Sequence, residues 1–190
     1  MIDFSTLTSD IPTIFSDLRY LTIILEAKSP NTIEDGDNMW FSDKMFIVQR
    51  NLNWVCLPLD THFDHSKLDT ACCMAASIYS HVYLRDLGFY SKVSQVLIRR
   101  FRGWLEGAFA EVLATALEEE ELPQLFWILI IAVIPAADQT ERKWFANWLE
   151  YICGEMEIKK KGEARAFLTS ILWTKDWDKY LDNLWREIMG

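Results

Sequence analysis

Glycine and proline are scarce, 7 and 5 of 190 residues. That excludes a collagen-like chain and argues against disorder. It also leaves too few turn formers for an all-β domain. Basic residues are in the minority, 19 Lys and Arg against 28 Asp and Glu, for a net charge of −9. A free-standing nucleic-acid binder normally carries the opposite sign, because it must neutralise phosphates. Direct nucleic-acid binding by this chain is therefore not expected, and an anionic membrane surface is disfavoured for the same reason. No long apolar run occurs. The most apolar stretch, Leu125 to Ala137, contains Pro135 and falls short of the roughly 20 residues a membrane span needs. It reads as a buried core helix, and no membrane association is expected. The opening residues, MIDFSTLTSD, lack the basic and apolar regions of a signal peptide. The four cysteines, Cys56, Cys72, Cys73 and Cys153, include no C-x-x-C pair. Reduced, mostly buried thiols in an intracellular protein are the simplest expectation.

What is abundant is apolar and aromatic: 51% and 14% of residues, with nine tryptophans. At 22.3 kDa the chain suits one domain over residues 1–190, large enough to bury about 70% of its unfolded surface. Helical periodicity dominates. Ile14, Leu18, Leu21 and Leu25 form one stripe of a helix over about 10–27, capped by Ser9 or Asp10. A polar loop follows at 29–38, then a helix over 43–53 opened by Ser42, and a second loop at 57–65. Ser66 or Asp69 opens a helix to about Leu87, with Gly88 placed for a C-terminal cap. The longest helix spans 91–120. Pro123 opens the apolar helix to Ala137, which should be surrounded by others. An amphipathic helix over 138–153 turns Trp144, Trp148, Leu149 and Ile152 inward. Helices at about 163–173 and 177–189 finish the chain. The spacing predicts an all-α, compact bundle of about eight helices, without the sustained heptads of a coiled coil.

The densest polar cluster is Asp60, His62, Asp64, His65 and Asp69. Convergent His and Asp side chains can hold a metal ion, and a small metal-dependent hydrolase built on Asp60, His62, Asp64 and His65 is one rival reading, a folded remnant with no retained activity the other. Capping and solvation account for the same residues, and no H-E-x-x-H motif accompanies them. Cys72 and Cys73 lie in an apolar run, two turns from His81, which disfavours a Cys–His nucleophile. Glu34-Asp35-Gly36-Asp37 lacks the alternating ligands and closing Glu of a calcium loop. Arg99, Arg100 and Arg102 read as a solvated or ion-paired helix face. Trp127, Trp144, Trp148 and Trp185 lie on apolar faces, where a core or an aromatic ligand pocket are both open. No glycine-rich phosphate loop or nucleophile elbow is present. No catalytic residue, metal or cofactor is expected from these patterns.

Several motifs together resemble the regulatory domain of fungal binuclear zinc cluster transcription factors. They are Ala75-Ala76-Ser77-Ile78-Tyr79 through Tyr83-Leu84-Arg85-Asp86-Leu87, and Pro123 to Phe145 with its Trp127, Glu141, Arg142, Trp144 and Phe145. Phe167-Leu168 to Trp173 and Leu184-Trp185-Arg186-Glu187-Ile188 fit the usual ending of such domains. The similarity covers about 10–189. The six zinc-binding cysteines of those regulators have no counterpart here. The resemblance implies a nuclear, non-enzymatic effector domain that regulates transcription through the transcription machinery, a regulatory protein or a small apolar ligand. Tyr79, Arg85, Trp127, Glu141, Arg142, Trp144, Phe145, Trp173 and Trp185 are the motif residues. Arg142, charged beside an apolar core, is expected to have a partner.

Overall fold

The structure, a computed structural model, describes residues 10–27, 35–56, 66–118 and 120–189. The described residues form an all-α bundle of eight α-helices without strands: α1 (Ile11–Ala27), α2 (Asp35–Cys56), α3 (Lys67–Tyr79), α4 (Lys92–Glu118), α5 (Leu122–Val133), α6 (Gln139–Glu155), α7 (Lys161–Ile171) and α8 (Asp178–Met189). A π-helical turn, Ser80–Leu84, continues α3, and a 3-10 turn, Lys175–Trp177, precedes α8. None of the described helices is long and apolar enough to cross a membrane.

The bundle is organised around α5. Every residue from 125 to 133 is fully buried, because α3, α4, α6 and α7 pack around the helix on all sides. A helix without a polar face can persist only in such a position. Trp127 carries a polar N–H into this apolar centre, and its Nε1 donates to the Leu172 carbonyl at 2.6 Å. Phe15 meets its ring edge-on at 5.3 Å, while Phe101 and Phe145 stack nearby at 6.1 Å.

Local sequence explains three of the helix starts. Ser66 caps α3 in a full capping box: its hydroxyl accepts from the Asp69 N–H at 3.0 Å, and the Asp69 carboxylate accepts from the Ser66 N–H at 3.2 Å. Asp138 caps α6 by accepting from Thr140 and Glu141 N–H groups. The Ser91 hydroxyl accepts from the Ser94 N–H at 3.1 Å at the head of α4.

Five sequence expectations are corrected. Helix α2 begins at Asp35 rather than near 43, so Ser42 lies inside it and caps nothing. The helix after Ser66 does not run regularly to Leu87, since its last turn widens to π geometry at Ser80–Leu84. The left-handed residue beyond it is Asp86 (φ 50°), not Gly88, and no described glycine has positive φ. An acidic side chain can accept this geometry because its short polar group bonds locally. Helix α5 stops at Val133, four residues before Ala137. In α6, Leu149 and Ile152 face the core as expected, but Trp144 and Trp148 only pack half-buried against it, and Glu141 and Phe145 take the remaining inner positions.

Candidate functional site

The residues nominated from sequence fall into three groups. Tyr79, Trp127, Phe145 and Trp173 are core side chains. The Tyr79 hydroxyl lies 3.0 Å from that of Thr22, and Trp173 Nε1 donates to the Asp178 carboxylate at 2.9 Å. Trp144 and Trp185 are half-buried, and Arg85 is exposed at the end of the π turn. Arg142 and Glu141 hold helix ends together. Arg142 Nη1 donates to the Val133 carbonyl at 3.0 Å, at the end of α5, and its Nη2 donates to Glu187 of α8 at 2.6 Å. One guanidinium thus joins α5, α6 and α8, using the fork geometry that lysine lacks. Glu141 is buried; its Oε1 accepts from Arg99 Nε at 3.3 Å, and its Oε2 accepts no hydrogen bond. Arg102 pairs with Glu106 at 3.6 Å and lies 5.8 Å from the Trp144 ring centre, while Arg100 is exposed.

The other nominated groups give no reactive centre among the described residues. Asp60, His62, Asp64 and His65 lie outside them, as do Ser9, Glu34 and the side chains of Asp35, Asp37 and Cys56. Asp69 belongs to the capping box. No group of three or more His, Cys, Asp or Glu placed to share a metal ion occurs among the described residues. Burial pushes the Cys72 thiol far above its ordinary value, with Asp69 and Glu121 adding to the effect. The Cys153 thiol is pushed up to about 11, by burial and then by Glu150. Both therefore remain protonated at neutral pH, whereas the nucleophile is the thiolate. His81 Nδ1 donates to the Ser77 carbonyl at 2.8 Å, since a carbonyl only accepts.

A concavity lies elsewhere. A cleft of about 1070 Å³ opens between the π turn, the segment leading into α4, and the start of α8. Val82, Tyr83 and Leu84 from the π turn form part of its wall; Phe89, Tyr90, Trp177 and Tyr180 supply rings. A smaller cleft of about 300 Å³ adjoins it, shares Phe89, Tyr90 and Tyr180, and reaches Arg142. The rings brace one another: Phe89 meets Tyr180 at 4.6 Å and Trp177 at 5.7 Å, both edge-on. Tyr90 stands out, 82% exposed. Asp86, Asp176, Lys175 and Lys179 make the rest of the main cleft polar.

A π turn, a 3-10 turn and one left-handed residue, Asp86, border this cleft. The π turn supplies three consecutive residues, Val82, Tyr83 and Leu84, to the wall. The turn is anchored from behind, where Ser80 Oγ donates to Gln49 of α2 at 3.0 Å. The left-handed Asp86 then redirects the chain toward Phe89 and Tyr90. Gln95 fixes that segment: its Nε2 donates to the carbonyls of Phe89 and Pro135, and its Oε1 accepts from the Ala137 N–H at 3.1 Å. Behind the wall, the Tyr83 hydroxyl is sealed from solvent and makes no hydrogen bond of ordinary geometry, although Thr174 faces it. Burial pushes this phenol above its ordinary value; Thr174 opposes the shift, and Asp176 and Glu26 reinforce it.

Of the nine motif residues, only Arg142 borders either cleft. Sequence reading missed Phe89, Tyr90, Trp177, Tyr180 and Gln95. The signal for them was the pair of rings directly after Gly88 and the interleaving of rings with Asp and Lys over 173–180. No family model, curated protein or solved structure matches the chain.

Proposed function

We propose that this chain is a non-enzymatic regulatory domain that takes a small ligand in the cleft between the π turn and α8. The observation that carries the reading is the cleft itself: a ring-lined concavity of about 1070 Å³, built where the helical backbone departs from regularity. Binding sites are typically concave, ring-lined and furnished with a few polar groups, and π-helical turns are frequent at functional sites. A ligand seated there touches three segments distant in sequence, the π turn, the head of α4 and the head of α8. It stabilises the arrangement in which these meet. The shift it produces equals its difference in affinity between the two states and no more.

The regulatory role is that of the effector region in fungal binuclear zinc cluster transcription factors. It includes action in the nucleus on a regulatory protein or the transcription machinery. This part of the reading rests on the sequence motifs alone. Two measurements test the two parts. Fragment screening by residue-resolved NMR should find ligands that shift Tyr90 and the Trp177 indole and raise the melting temperature. If no fragment does so, the cleft is only a surface concavity. Fusion of the whole chain to a heterologous DNA-binding domain should change reporter output in a fungal cell. An unchanged output removes the transcriptional role while leaving ligand binding intact.

A further inference from the structure

The cleft's charges say which ligands it favours. Its rim carries the carboxylates of Asp86 and Asp176, and the Glu26 carboxylate lies just behind, accepting from the Lys175 N–H at 2.9 Å. Asp178 is already engaged by Arg165 at 2.9 Å and by Trp173, so it adds little outward. No arginine lines the main cleft, and the one bordering its annex, Arg142, is committed to Glu187 and the Val133 carbonyl. A carboxylate or phosphate ligand would therefore meet no bidentate partner. Two lysines line the cleft as well, but one of them shows what the rings accept. The Lys179 ammonium sits 4.7 Å from the Tyr180 ring centre, a cation–π contact made by the chain itself. Tyr90, with its ring 82% exposed at the junction of the two clefts, offers a second such surface. The net charge of −9 adds a long-range field that raises the local concentration of cations.

We infer that the cleft binds organic ammonium compounds, a positively charged nitrogen carried on an aromatic or apolar body. The nitrogen lies between Asp86, Asp176 and the Tyr90 ring, and the apolar body packs against Phe89 and Trp177. This rests on the ligand-binding reading above and narrows it to one ligand class. The Lys179 ammonium lies in the same cleft over the Tyr180 ring, so its like charge opposes a cationic ligand.

The test is an NMR titration of the full chain with three probes of similar size: phenethylammonium, neutral phenethyl alcohol and anionic 3-phenylpropionate. Phenethylammonium is expected to shift Tyr90 and the Trp177 indole with an affinity about tenfold above the other two, the worth of about one charge-assisted contact. Tyr90→Ala should weaken it about two- to fivefold, one exposed cation–π contact, and Asp176→Asn should weaken it as well. Lys179→Ala should strengthen it, since a like charge in the cleft is gone. Tyr90, Asp176 and Lys179 are exposed, so these variants fold. Equal or tighter binding of 3-phenylpropionate, or weaker phenethylammonium binding in Lys179→Ala, overturns the cationic class and leaves the cleft standing as a ligand site. If none of the three probes shifts any cleft resonance, the cleft reading falls with it.

Discussion

Two ring-rich regions of this bundle are built on opposite principles. Around α5, rings are buried: Trp127 is fully enclosed and its N–H reaches the Leu172 carbonyl. Around the π turn, rings of the same types meet edge-on but remain partly open, as at Phe89, Tyr90 and Tyr180. There the helix widens, Asp86 takes a left-handed conformation, and the Tyr83 hydroxyl is enclosed without a well-formed hydrogen bond. The contrast separates two uses of aromatic residues. In the first, close packing and satisfied donors fix one structure. In the second, local irregularity is tolerated because it shapes a concavity, and sites that bind are commonly drawn from the less stable parts of a fold.

Substitutions on the two sides should therefore behave differently. The largest effect belongs to the centre. Trp127→Ala removes a fully buried ring and is expected to destabilise the protein by about 3–5 kcal/mol. Melting should fall by about 10 °C in a chain of this size. Differential scanning calorimetry measures it directly, and a loss below about 1 kcal/mol would mean that α5 is not the organising helix. Next comes the helix-end clamp. Arg142→Ala breaks the bonds to Val133 and to Glu187, whose side chain is 43% exposed. The exposed half of the pair contributes little, so the loss is about 1–2 kcal/mol by urea denaturation. Arg142→Lys should recover only part of it, because lysine cannot span both partners. Ser66→Ala removes one half of the capping box and is expected to cost about 1 kcal/mol, again by urea denaturation.

Acid acts more weakly, and at the periphery. Burial raises the Asp178 carboxyl, but hydrogen bonds from Arg165 and Trp173 and the charges of Arg165 and Lys161 outweigh it, so its pKa lies below the ordinary 3.8. A carboxylate depressed in the folded state stabilises the protein at any pH above that ordinary value. The contribution is lost as the pH falls through the lower folded value. Melting temperature should thus be insensitive to this group near neutrality and decline in strong acid. Asp178→Asn should flatten the acid limb of the curve relative to the parent. The smallest effect on stability is expected at the cleft. Tyr90→Ala should leave the melting temperature within the scatter of surface substitutions, about ±0.5 kcal/mol, while weakening phenethylammonium. A large destabilisation would show that Tyr90 belongs to the core and erase the contrast.

The difference between the regions also explains what the sequence revealed. Helix α5 was legible because an apolar run too short to span a membrane has one physical outcome in a helical bundle, complete enclosure. The stripe of α1 and the capping box at Ser66 were legible for similar reasons, being local and periodic. In α6 the inward face was legible only in part, at Leu149 and Ile152. Apolarity favoured Trp144 and Trp148, whereas Glu141 takes an inner position through its bond to Arg99. The π turn was hidden because one wider turn barely alters apolar spacing along Ala75 to Leu87. The start of α2 was hidden because Asp35 to Asn38 are weak helix formers. The cleft could not be read at all from local pattern. Its rings come from Phe89 and Tyr90 at one end and Trp177 and Tyr180 at the other, and only the packing of α8 beside the π turn brings them together. The motif residues mark the scaffold that makes this possible, with Arg142 holding α8 against α5 and α6.

Native-state hydrogen exchange is the most direct test of the central claim that stability and binding are housed in separate regions. Amides of α5 from Leu125 to Val133 should exchange only through global unfolding. Amides of the π turn and of the 3-10 turn before α8 should exchange through smaller openings at lower free energy, with phenethylammonium protecting them selectively. Equal protection of both regions, unchanged by the probe, would contradict the account.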